Sequence, residues 1–123
     1  MLRVLLAADA TVLLALGASF MAMPARIGLA FGFYGLAPME CYVIGLWGCA
    51  LISLGVGCAC AAGDPLRNVN WVRAGIVRGA LECAFGFIVV GQHMIAWRQA
   101  ALGTVIAGAI AVAYIALYPR EAV

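Results

Sequence analysis

The chain is 123 residues long, 67% apolar and only 10% charged, where soluble domains carry about 45–50% apolar and about 25% charged residues. That length holds one domain, and the composition excludes an ordinary water-soluble enzyme. All seven basic side chains are arginines and the net charge is only +2; with no basic run and no basic–aromatic alternation, nucleic acid is excluded as a partner.

Four apolar stretches, residues 4–23, 40–62, 72–97 and 99–117, make up almost the whole sequence. Each matches the run of about 20 apolar residues, rising roughly 1.5 Å apiece, that crosses a hydrocarbon core. They predict an all-α fold, an integral membrane four-helix bundle with short loops, as a single transmembrane domain over residues 1–123. The first stretch follows Arg3 and passes Ala18 and Ala22, which loosely resemble signal-cleavage positions. Its apolar run of ~20 residues exceeds the about 7–15 of a signal core and contains Asp9, so it reads as a retained helix. Pro24 ends it, because proline lacks a donor and clashes with the preceding turn.

Residues 27–37 are apolar but too short to span, with Gly28, Gly32 and Gly35 inside and Pro38 behind. They are expected to form an interfacial or re-entrant segment, or to extend a neighbouring helix. The second span runs to Gly63-Asp64-Pro65, a turn signal. Asn68 and Asn70 are candidate caps for the third. Trp71 and Trp97 are expected to bracket the third helix, as interfacial tryptophans do. Trp97-Arg98-Gln99 leaves room only for a tight hairpin, so the third and fourth helices should pack antiparallel. Pro119 stops the last helix, and Arg120-Glu121 should stay in water.

Orientation follows from the arginines. Alternating spans place the N-terminus, the loop of residues 63–71 and the C-terminus on one side, with Arg3, Arg67, Arg73 and Arg120. The other side has Arg26 and Arg98. The positive-inside bias predicts both termini in the cytoplasm, N-in/C-in, for a multi-pass protein of a bacterial inner (cytoplasmic) membrane.

In lipid, helices associate through close backbone contact at small residues, since apolar side chains gain little by meeting one another. Gly75 and Gly79 share a face with Cys83. Gly103, Ala107 and Ala111 repeat that spacing on the fourth span, and Cys41, Gly45 and Gly48 make a stripe on the second. These are the expected packing positions, with one stripe free to face a partner subunit.

Ionisable groups within the membrane are expensive and mark structural or functional sites. Asp9 lies about 8 Å into the first span, and Arg78 and Glu82 about 9 and 15 Å into the third. Arg78 and Glu82 are four apart, hence on one face. Arg78 is expected to bridge Asp9 and Glu82 in an intramembrane charge cluster that fixes helix register. A proton or anion site is the functional alternative.

A soft-donor set gathers near the opposite side: Met21, Met23, Met39, Cys41, His93 and Met94. Thioether, thiolate and imidazole suit Cu(I), although methionine is also common core filler. Glu40 is a candidate partner for His93, Arg26 or Arg98. A lone histidine without a Cys-x-x-Cys-His signal does not support haem, and Cys58-x-Cys60 lacks the spacing of a thiol-disulfide motif. No nucleophile elbow, phosphate loop or HExxH occurs. The expectation is a protein that is not an enzyme and has no resident cofactor, with quinone, pigment or Cu(I) as the groups to test.

The four-span layout, the glycine-rich second span ending in Gly63-Asp64-Pro65-Leu66-Arg67, and the terminal Leu117-Tyr118-Pro119-Arg120 resemble the small bacterial membrane proteins of the DoxX-like class. That resemblance implies association with membrane redox complexes that handle quinones, and it carries over no catalytic residue. The expected function is therefore a non-catalytic accessory subunit of a larger membrane complex, surrounded by lipid and other membrane subunits. The alternatives are a quinone or lipid binder using Phe31, Phe33, Tyr34, Phe85 and Phe87, a soft-metal carrier, and a proton-coupled carrier.

Overall fold

A computed structural model describes residues 1–119; Arg120 and Glu121, expected in water, lie outside the described residues. Five helices follow in order: α1 (Leu2–Ala22), α2 (Pro24–Ala30), α3 (Pro38–Gly63), α4 (Val69–Gly91) and α5 (Trp97–Ala116). All but α2 are long and apolar enough to cross a membrane. The chain is an all-α four-helix membrane bundle. At most 33% of each spanning window is buried inside the protein. The remainder exposes large apolar side chains such as Leu46, Val77, Leu81, Val105 and Val112. So continuous an apolar surface belongs against lipid.

Prolines set two of the boundaries. Pro24 opens α2 and forces Met23 out of helical geometry, to φ −138° and ψ 57°. Pro38 is the first residue of α3, where its missing N–H costs nothing. Glu40 turns back on its own helix, its Oε2 accepting from the Ala37 N–H at 2.8 Å. It is a cap, and the expected pairing with His93, Arg26 or Arg98 is not made. Asn68 precedes α4 without a side-chain cap; its amide donates to the Asp64 carbonyl at 2.9 Å.

The third span is shorter than its hydropathy suggests. α4 stops at Gly91, residues 92–96 form the turn, and Trp97 opens α5 instead of closing α4. His93 takes a left-handed conformation, φ 58°. The His93 N–H donates to the Val90 carbonyl at 3.0 Å and the Met94 N–H to Val89 at 3.1 Å, the paired bonds of a Schellman cap. Met94 and Ile95 kept the apolar run going, which hid this stop. The same cap closes α2, with Gly32 at φ 84° and Phe33 donating to Gly28. Residues 27–37 are thus neither a span nor an extension of a neighbour, but a short helix and a folded loop.

The spans form two antiparallel pairs, α1 along α3 and α4 along α5, which touch each other only over short stretches. Within each pair the backbones approach closely. A Cβ at Gly17 would lie 2.7 Å from the Gly48 carbonyl, and one at Gly79 would lie 2.7 Å from that of Ala107. Gly75 packs beneath the Tyr114 ring and Gly57 beneath the Trp71 indole. Gly48, Gly75, Gly79 and Ala107 therefore pack as expected. Gly45 and Gly103 do not, since a Cβ on either would meet nothing within 4 Å.

The pairs converge at the end carrying the α3–α4 loop. Leu6, Cys58, Ala61, Val72 and Tyr114 are buried together there, and the Arg3 guanidinium donates to the Gly63 carbonyl at 3.0 Å. Towards the other end they part, leaving a groove.

Candidate functional site

Asp9 is the joint between the two pairs. Its side chain is 1% exposed, and the Arg78 Nη2 donates to both carboxylate oxygens at 2.9 Å. The Tyr114 hydroxyl also donates to Oδ2, and the Cys58 thiol approaches the same oxygen at 3.9 Å. One carboxylate on α1 thereby gathers donors from α3, α4 and α5. A charge buried at that depth must be paired and hydrogen-bonded to be tolerated.

The expected bridge from Arg78 to Glu82 is absent. Glu82 makes no ion pair or hydrogen bond among the described residues, and its side chain is exposed. Sharing a helix face with Arg78 did not suffice, because the guanidinium turns towards the more deeply buried carboxylate. Tyr114 and Cys58 were missed as members of the cluster. The usable signal was Tyr114, a phenol on the Ala107–Ala111 seam of a helix with few polar groups; a buried tyrosine hydroxyl normally finds a partner.

The groove between the pairs holds about 720 Å³, within the range of about 300–1,000 Å³ typical of small-molecule sites. Leu13, Leu16 and Leu51 line one side, and Phe85, Val89, Ile106 and Ile110 the other. Asp9, Arg78 and Glu82 supply its polar end. At the opposite end Phe31, Phe33 and Leu36, from the loop that follows α2, lie over it beside Gln99. That loop is held in place by the Gln99 amide, which donates to the Gly32 carbonyl at 3.1 Å. Of the aromatic residues expected to form a groove, Phe31, Phe33 and Phe85 do. Tyr34 is 81% exposed beside a separate hollow with Arg98, and Phe87 stacks on Trp97 at 5.7 Å.

The soft donors lie at one end of the bundle. Met21 lies 3.8 Å from the Cys49 thiol, Met39 and Met94 are 76% and 68% exposed, and His93 terminates α4. Among the described residues no three His, Cys, Asp or Glu side chains come together as metal donors. Met23 and Cys41 make no side-chain hydrogen bond there.

No family model, curated protein or solved structure matches this chain.

Proposed function

We propose that this protein binds a lipophilic small molecule within the bilayer and carries out no chemistry of its own. The observation that supports this reading is the groove of about 720 Å³, lined mostly by apolar side chains, with Thr104 and Gln99 along it and its charges gathered where Asp9, Arg78 and Glu82 stand. A body soluble in lipid enters such a space without losing solvation, and the polar end orients its head. The bacterial inner membrane, with both termini in the cytoplasm, is the setting that the arginine distribution favours.

The test is an organic extract of protein purified in mild detergent, compared with the Gly103→Phe variant. Gly103 lines the groove with open space at its Cβ, so phenylalanine there fills the cavity without crowding a neighbouring helix. A stoichiometric lipophile in the wild type that is lost from the variant supports the reading. Equal extracts from both refute it.

An accessory subunit of a larger membrane complex is the second reading. Open space at Gly45, on the outside of α3, favours it, since small residues admit a neighbouring helix. Co-purification of a membrane partner that is lost in Gly45→Phe would support that role.

A further inference from the structure

Glu82 is a carboxyl in the span with no partner among the described residues. Counted along α4 from Val69 to Gly91, it stands about 20 Å from one end and about 13 Å from the other. A carboxylate so far from either end is costly to keep in lipid, and such groups are retained where they pair with something or line a pathway. The cation nearest in sequence, Arg78, is spent on Asp9, holding both its oxygens at 2.9 Å. Asp9, Arg78 and Glu82 are the only charged side chains lining the groove among the described residues. With all three ionised, the lining carries one uncompensated negative charge, at Glu82.

The chemistry of the complement follows. An ionised carboxylate only accepts hydrogen bonds, so it repels the carbonyl oxygens of a neutral quinone and the phosphate of a lipid. It attracts a positive centre. Phe85 lies one turn along from Glu82 on the same wall, with Phe31 and Phe33 farther along, and aromatic faces attract organic cations. We propose that the groove takes a lipophilic organic cation, its apolar body between the helix pairs and its single positive charge opposite Glu82. This rests on the groove being a binding site, and it narrows the ligand class.

The test uses the full chain in nanodiscs of neutral phosphatidylcholine, with binding to empty nanodiscs subtracted. Three probes of similar size are titrated: tetraphenylphosphonium, tetraphenylborate and neutral tetraphenylsilane, which has no hydrogen-bonding group. The expected result is a preference of about tenfold or more for the cation, which Glu82→Gln removes and Glu82→Asp largely retains. The neutral probe should bind wild type and Glu82→Gln alike, which shows the variant is folded. Should Glu82→Gln fail to assemble, the charge series on the wild type decides alone. Equal affinity for all three probes overturns the cation proposal and leaves the groove reading standing. If no probe binds, or if Gly103→Phe binds them as wild type does, the groove reading falls as well.

Discussion

Replacing Arg78 with leucine should be the most damaging single change in the bundle. Its Nη2 sits 2.9 Å from both Asp9 oxygens. At about 3 Å and an effective dielectric constant near 20, the gross attraction is about 5–6 kcal/mol. The Asp9 side chain is 1% exposed, so no solvent replaces the lost guanidinium. Removing one member of such a pair costs about 3–5 kcal/mol. The Tyr114 and Cys58 contacts cannot offset this, because hydrogen bonds inside membrane bundles average only about 0.6 kcal/mol. Asp9→Leu should cost less, about 2–3 kcal/mol, because the stranded Arg78 has Glu82 one turn away as a new partner. The double variant Asp9→Leu/Arg78→Leu leaves no stranded charge, only the Tyr114 hydroxyl without its acceptor, and should cost about 1–3 kcal/mol, less than Arg78→Leu alone. Reversible unfolding by sodium dodecyl sulfate in mixed micelles, followed by far-ultraviolet circular dichroism, measures all four proteins. Additive losses, or an Arg78→Leu protein within about 0.5 kcal/mol of wild type, would refute the ion pair as the joint between the helix pairs.

Other substitutions probe separate parts of the structure by the same unfolding measurement. Tyr114→Phe removes one donor to Asp9 and keeps the ring on Gly75, so a loss of about 0.6–1.7 kcal/mol is expected. Gly79→Val places a Cβ 2.7 Å from the Ala107 carbonyl and 2.8 Å from the Ala111 Cβ, and should cost about 1–3 kcal/mol or more. Gly45→Val meets open space and should stay within about 0.5 kcal/mol. His93→Gly relieves the left-handed conformation at the end of α4 and should gain about 1 kcal/mol.

The fold was legible in the sequence because lipid as solvent demands long apolar helices, and hydropathy reports that directly. The α4–α5 turn was not, because it is made by backbone conformation at His93 and the apolar run passes through it unbroken. The Asp9–Arg78 pair was legible because two opposite charges at similar depth have few other partners. Its completion by Tyr114 and Cys58 was not, since it depends on how the two helix pairs are rotated against each other. Small-residue spacing located Gly75, Gly79 and Gly48 correctly. It failed at Gly45 and Gly103 because one spacing marks a stripe without saying which stripe faces inward. The groove was legible only in part, through Phe31, Phe33 and Phe85 on its wall, and its place between the helix pairs was not. It arises from the pairs touching over short stretches only, and from α2 folding over the gap.

These features divide the three intramembrane charges between two tasks. Asp9 and Arg78 neutralise each other on the groove wall and pin the four spans together, next to the closed end. Glu82 stands one turn farther along α4, on the same wall, outside that pair. If this division is right, Glu82→Gln should leave the unfolding free energy within about 0.5 kcal/mol of wild type, as substitutions without lost partners do. A loss above about 2 kcal/mol would show that Glu82 holds the helices together, and the groove would then have no free charge to offer a ligand. Stability unchanged in Glu82→Gln and strongly reduced in Arg78→Leu is the pattern that only separate roles produce, because a shared cluster would weaken with the loss of either residue.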